Sequence, residues 1–150
     1  MNLQIYTFRT FPYKRELKSI FNNVIILDKI KDDLNKLCSK IQLEKPDLIL
    51  GIAKSDNISK IEKYAINQFH KNKKVLNIKN YKYILDIPNN LPFIINNKPT
   101  DSFCNYSMFK IKYFLNSNNL NIPFTFVHIT EQDLQKLIII NNKNKFSNCK

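Results

Sequence analysis

The chain has 150 residues, of which 43% are hydrophobic, and a formal net charge of +12 at pH 7. This length and hydrophobic content predict a single domain spanning residues 1–150 with a core of its own. The longest apolar runs, such as residues 137–140, fall far short of the roughly 20 residues that cross a membrane. Residues 1–15 lack the apolar centre of a signal peptide. We therefore expect a cytoplasmic protein without a membrane partner.

The basic residues and the cysteines each argue against a class of function. Clustered Lys and Arg would indicate nucleic-acid binding, but 22 of the 24 basic residues are lysines spread among abundant Asn and Ile. Nucleic acid is therefore not an expected partner. The three cysteines, at positions 38, 104 and 149, contain no Cys-x-x-Cys pair and resemble neither a disulfide framework nor a zinc site. We expect reduced thiols and no metal.

Short runs rich in Ile, Val, Tyr and Phe alternate with amphipathic stretches along the chain. The predicted strands are residues 3–8, 23–27, 46–53, 91–95 and 122–129. The predicted helices are residues 14–21, 29–43, 104–116 and 131–142. This alternation predicts an α/β fold, a three-layer α/β/α arrangement with a mostly parallel twisted sheet flanked by helices. The segment 68–100, rich in Lys and Asn, gives the weakest signal.

Two residues occupy positions where α/β proteins handle ligands, the carboxyl ends of strands and the amino ends of helices. Cys104 follows turn-forming and capping residues at 99–102 and would lie in the first turn of its helix, where the helix dipole favours a thiolate. His128 lies at the carboxyl end of the strand 122–129. Such a pair suits nucleophilic catalysis, with an acid to orient the imidazole as third member.

Packing is the alternative role for each of these residue types. A lone cysteine near an apolar helix is more often buried than reactive, and a histidine at a strand end is usually a hydrogen-bonded structural residue. We assign a packing role to Cys38, on the apolar face of helix 29–43, and no chemical role to Cys149, in the polar tail. His70 is predicted to be solvated.

Four segments carry a further pattern. In chain order they are YTFRTFPYK (6–14), GIAKSDNISKIEKYAIN (51–67), FCNYSMFKIKYFL (103–115) and FTFVHI (124–129). They resemble, in the same order, the opening phenylalanine motif, the glutamate segment, the Cys-Asn helix start and the histidine strand of pyroglutamyl peptidase I. This family comprises the cysteine-type pyrrolidone carboxylate peptidases, and the resemblance covers most of the chain.

The resemblance implies a thiol protease, an omega peptidase that removes N-terminal pyroglutamate from peptides. Cys104 would attack the carbonyl, His128 would accept and return the proton, and Glu62 would hold His128 in the useful tautomer. Backbone N–H groups at the start of the Cys104 helix would stabilise the oxyanion. The chemistry requires no metal and no cofactor.

The resemblance also implies an aromatic substrate site. Phe8 and Phe11 align with the two phenylalanines that line the family's pyroglutamyl pocket, and Phe103 stands beside the nucleophile. An uncharged lactam ring suits such an apolar site. The implied partner is a peptide with N-terminal pyroglutamate, and the resemblance is compatible with a homo-oligomer.

The loops around the implied site leave a second function open. Residues 54–57 stand where the family has a glycine-rich turn and an arginine, and residues 99–100 replace an Ala-Gly pair. The alternative is a catalytically inactive family member that serves as a binding or assembly protein.

Overall fold

A computed structural model describes residues 1–141 and gives them an α/β architecture. The strands are β1 (Leu3–Phe8), β2 (Val24–Leu27), β3 (Leu48–Lys54), β4 (Lys60–Glu62), β5 (Tyr64–Ile66), β6 (Lys82–Ile84), β7 (Ile94–Asn96) and β8 (Phe124–Ile129). The helices are α1 (Lys14–Ile20), α2 (Ile30–Glu44), α3 (Phe103–Ser117) and a 3₁₀ helix (Glu131–Asn141). Cys149 lies outside the described residues. Within residues 1–141, no helix has the length and apolar character to cross a membrane.

The main sheet has six strands in the order β2-β1-β3-β8-β4-β7. The four strands from β2 to β8 are parallel, whereas β4 runs antiparallel to β8 and parallel to β7. Strands β5 and β6 form a separate antiparallel pair. The predicted mostly parallel sheet is confirmed, and its inner parallel strands β1, β3 and β8 are buried on both faces, as their continuous apolar runs predict.

Each face of the sheet carries its own core. Helices α2 and α3 cover one face, where they pack around Tyr6, Phe124 and Phe126. Helix α1 and the 3₁₀ helix cover the opposite face around Ile5 and Val127. Successive strand residues point to opposite faces, which places neighbouring residues such as Phe126 and Val127 in different cores. The predicted three-layer α/β/α arrangement is confirmed.

Two predicted elements differ from the structure. The predicted strand 91–95 is instead the three-residue β7, which begins at Ile94, because Pro92 cannot donate a ladder hydrogen bond. The last predicted helix is a 3₁₀ helix, and its buried residues Leu134, Leu137 and Ile140 recur every three positions. That spacing matches the three residues per turn of a 3₁₀ helix. The short strands β4, β5 and β6 were not predicted.

Gly51, the single glycine of the chain, allows two aromatic rings to close over β3. Tyr6 of β1 and Phe126 of β8 are its partners in register on either side. A Cβ at position 51 would lie 2.7 Å from Tyr6 Cζ and closer still to the Phe126 ring. Phe126 in turn contacts the rings of Phe8, at 6.4 Å between centroids, and His128, at 5.3 Å. Gly51 therefore shapes the aromatic surface on which the candidate site is built.

Candidate active site

The fold places two of the three predicted catalytic residues, His128 and Glu62, in direct contact, and the third, Cys104, on the same face of the sheet. Cys104 is the second residue of α3, His128 is the penultimate residue of β8, and Glu62 is the last residue of β4. His128 shares the sheet face of Phe126, two residues before it, and Cys104 packs against the core on that face. The cysteine and the histidine therefore lie on the same side of the sheet.

His128 and Glu62 form a short, nearly buried hydrogen bond. His128 Nδ1 lies 2.7 Å from Glu62 Oε1, and the side chains are 16% and 3% exposed. An ionised carboxylate can only accept hydrogen bonds, so Nδ1 carries the proton and donates it. His128 Nε2 is then the basic nitrogen, which is the arrangement that a general base needs.

Glu62 has two more polar neighbours that the sequence did not reveal. Asn96 Nδ2 donates to Glu62 Oε2 at 2.8 Å, and Lys60 Nζ lies 4.0 Å from Glu62 Oε1. Asn96 belongs to the segment with the weakest sequence signal, and no motif marks it. Only the pairing of β4 with β7, which places Glu62 opposite Asn96, could have identified it.

The start of α3 is fixed by the residue that follows Cys104. Asn105 is fully buried, and its side-chain oxygen accepts from the backbone N–H of Ile66 at 2.8 Å. Its amide nitrogen donates to the carbonyls of Ile66 and Gln68, each at 2.9 Å. These bonds tie the first turn of α3 to β5 and its following loop, so the backbone that carries Cys104 is held in one position. The first N–H groups of a helix have no acceptor within it, and Cys104 is the second residue of α3.

Burial raises the pKa of the Cys104 thiol to about 11. A hydrogen bond from Ser102 and the charge of Lys60 lower this pKa, and the charge of Glu62 raises it, but loss of solvation is the largest cause. A backbone hydrogen bond at the start of α3 also lowers this pKa, as the position of Cys104 at the helix start predicts, but burial outweighs it. Among the residues that the structure describes, His128 hydrogen-bonds to Glu62 and not to the Cys104 thiol. Cys104 thus needs a base to remove its proton before it can react.

The pKa values of the two thiols determine how their rates of alkylation by iodoacetamide should depend on pH. Burial also raises the pKa of Cys38 to about 11. Since only the thiolate reacts, we expect both rates to rise about tenfold per pH unit between about pH 7 and 10. Cys104 should react faster than Cys38 at each pH because it lines a cavity. Peptide mapping by mass spectrometry measures both rates, and a Cys104 rate already maximal at mildly acidic pH would contradict the protonated thiol.

A cavity of about 670 Å³ opens beside Cys104. The three residues predicted to bind substrate, Phe8, Phe11 and Phe103, all line it together with Cys104. This volume lies within the range of small-molecule sites, which are mostly apolar with a few polar groups. Of the three candidate catalytic residues, all within the described part of the chain, Cys104 lines the cavity. His128 and Glu62 do not line it and hydrogen-bond to each other.

Two ion pairs stand at this cavity. Arg9 and Asp28 both line it, and Arg9 Nη1 lies 3.1 Å from Asp28 Oδ1. Lys54 also lines the cavity and pairs with the exposed Asp56 at 2.7 Å. Hydrogen bonding to the partner lowers the pKa of Asp56 and raises that of Lys54. The end of β3 therefore contributes a cation to the cavity lining.

His70 is exposed, as predicted, but its ring is not free of contacts. The centroid of the imidazole lies 4.0 Å from that of Phe69 and 6.1 Å from that of Phe103. His70 has a positive φ of 54°, and its backbone N–H donates to the Asp101 carbonyl at 3.2 Å. These contacts attach the loop after β5 to the segment that precedes Cys104.

Comparisons with known proteins find the fold but no sequence relative. No family model matches the chain, and no curated protein matches it. Among solved structures, the pyrrolidone carboxyl peptidase of Thermococcus litoralis is 17% identical, with a TM-score of 0.67 over 87% of this chain and 77% of that one.

Two other solved structures give the same result. A mutant pyrrolidone carboxyl peptidase from the hyperthermophile Pyrococcus furiosus is 16% identical, with a TM-score of 0.70 over 98% of this chain and 89% of that one. The pyroglutamyl peptidase I of Bacillus amyloliquefaciens is 16% identical, with a TM-score of 0.69 over 89% and 83% of the two chains. The chain has the α/β fold of these peptidases, and the resemblance seen in the sequence extends to the fold.

Proposed function

We propose that the protein is a cysteine-type pyroglutamyl peptidase, which removes pyroglutamate from the N-terminus of peptides through an acyl-enzyme. The observation that most supports this proposal is the 2.7 Å hydrogen bond between His128 Nδ1 and Glu62 Oε1. It lies on the same side of the sheet as Cys104, in a chain with the fold of pyrrolidone carboxyl peptidases. Three segments distant in sequence thus supply a nucleophile, a base and an acid that orients the base.

In the first half of the reaction, Cys104 Sγ bonds to the carbonyl carbon that joins pyroglutamate to the next residue. His128 Nε2 takes the thiol proton, and the carbonyl electrons move to oxygen. The N–H groups at the start of α3 stabilise this oxyanion. The carbon–nitrogen bond then breaks, and the imidazolium gives its proton to the leaving amine.

In the second half, water hydrolyses the thioester. His128 Nε2 takes a proton from water as its oxygen bonds to the acyl carbon, and the carbon–sulfur bond breaks. The imidazolium returns the proton to Cys104 Sγ, and free pyroglutamate leaves. Glu62 stays ionised throughout and stabilises each imidazolium. Atoms and protons balance without a metal or cofactor.

The cavity fits the proposed substrate. Phe8, Phe11 and Phe103 provide apolar surface for the methylene groups of the uncharged lactam ring, whereas its N–H and C=O groups require hydrogen-bond partners in the site. The remaining volume can hold the peptide residues that follow pyroglutamate, near the charged Arg9 and Lys54. A free thiol nucleophile suits a reducing compartment, so we place the activity in the cytoplasm.

An inactive binding protein is the second candidate, and one observation favours it. The raised pKa of Cys104 means that removal of its proton is harder than in a site with a preformed thiolate. A protein that has kept the aromatic cavity could bind pyroglutamyl peptides without cleaving them. Both candidate functions predict binding of pyroglutamyl peptides, but only the peptidase predicts their cleavage.

A pair of reporter amides tests the proposal. The purified protein should release the reporter from a pyroglutamyl amide and leave the prolyl amide intact, because proline has the same ring size without the lactam carbonyl and carries a positive charge. Fluorescence of the released reporter measures both rates. Binding of several pyroglutamyl amides without release of the reporter would support the inactive candidate instead.

A further inference from the structure

Both oxygens of the Glu62 carboxylate are engaged, each with a different partner. Oε1 accepts from His128 at 2.7 Å, and Oε2 accepts from the side-chain amide of Asn96 at 2.8 Å. Glu62 is only 2% exposed, so water can replace neither partner easily. An ionised carboxylate in such a position depends on the hydrogen bonds that the protein supplies.

The backbone places Asn96 directly beside Glu62. The two residues are partners in the parallel ladder of β4 and β7, and the N–H of Lys63 donates to the Asn96 carbonyl at 3.1 Å. The amide group is also held at its other end. Asn96 Oδ1 accepts from the Lys98 N–H at 3.3 Å, and Nδ2 donates to the Lys98 carbonyl at 3.0 Å. With its oxygen turned to Lys98, the amide presents its nitrogen to Glu62.

We propose that Asn96 is a positioning residue, which acts through Glu62 on His128; this inference rests on the proposed function. Lys60 Nζ also lies 4.0 Å from Glu62 Oε1, the oxygen that His128 contacts. The bond from Asn96 to Oε2 fixes the carboxylate so that Oε1 faces His128. The edge strand β7 thereby takes part in holding the His128 tautomer with a free Nε2.

Asn96→Leu tests this role, with Asn97→Leu as a matched control on an exposed neighbour. Asn96→Leu removes the amide while keeping a similar volume, so Glu62 Oε2 loses its partner. We expect kcat on a pyroglutamyl amide to fall about tenfold to a hundredfold, with KM changed less than about twofold. Asn97→Leu should leave both constants unchanged.

A double-mutant cycle separates positioning from a general structural role. In a Glu62→Gln background the oriented carboxylate is already gone. Adding Asn96→Leu to this variant should therefore lower its kcat by less than about threefold. A full tenfold to hundredfold loss in that background would mean that Asn96 acts independently of Glu62 and would overturn the proposal.

A spectroscopic readout keeps the test independent of turnover. The chain has two histidines, His70 and His128, so a low-field Nδ1–H proton resonance that survives His70→Gln belongs to His128. It should be lost in Glu62→Gln, and shifted or broadened in Asn96→Leu but not in Asn97→Leu. A resonance unchanged by Asn96→Leu would contradict the proposal, whether or not the wild-type protein cleaves pyroglutamyl amides. Absence of cleavage by the wild-type protein would contradict the proposed function alone.

Discussion

Cys104→Ala is expected to abolish cleavage of a pyroglutamyl amide. Among the described residues that line the cavity, Cys104 is the only cysteine, so the variant has no thiol there to form the thioester. We expect kcat to fall by on the order of ten-thousandfold or more, as in peptidases that lose their nucleophile. The side chain is partly buried, and the change removes a single sulfur, so the fold should persist. Reporter release together with circular dichroism measures both effects.

Cys38→Ala is the matched control for this variant. Cys38 is also partly buried, and burial raises the pKa of its thiol to the same value of about 11. It lies on α2 and packs against the core, so its removal should change stability slightly and kcat hardly at all. Equal activity in the Cys104→Ala variant and the wild type would exclude the thiol mechanism.

Glu62→Gln should lower kcat on the same amide by about tenfold to a thousandfold, with the fold intact. Glutamine has nearly the same shape but no charge, so it stabilises the imidazolium less and fixes the His128 tautomer less firmly. The bond that it weakens is the 2.7 Å contact with His128 Nδ1.

Glu16→Gln provides the comparison for Glu62→Gln, because Glu16 is exposed on α1. It should keep wild-type kcat, and circular dichroism should give the same spectrum for both variants. If Glu62→Gln kept full turnover as well, the triad would reduce to a pair of Cys104 and His128.

The fold and the positions of the main site residues could be predicted because local patterns determine them. Continuous apolar runs gave the parallel strands, and Cys104 and His128 each stand near the end of a predicted element. Glu62 is different, since a glutamate between two lysines is ordinarily a surface residue. Only the family resemblance assigned it to the site, and the structure buries it to 2% exposure.

Features that depend on tertiary packing could not be predicted. The pKa of Cys104 is set by how far the surrounding chain excludes water, and the sequence indicated only the opposing helix dipole. Asn96 contributes through the register of two three-residue strands, which are too short for a periodic signal. Residues 131–141 form a 3₁₀ helix whose buried residues are three positions apart. The continuous apolar run from Leu137 to Ile140 obscures that spacing in the sequence, so it could not be told from an α-helix.

Mass spectrometry of the protein quenched in acid during turnover tests the central claim most directly. Acid slows hydrolysis of a thioester, so an acyl-enzyme that forms on a pyroglutamyl amide can be digested and mapped to its residue. The account predicts a pyroglutamyl group on the peptide that contains Cys104, absent from the Cys104→Ala variant. Reporter release with no such adduct on rapid quenching, or an adduct on Cys38 instead, would contradict it.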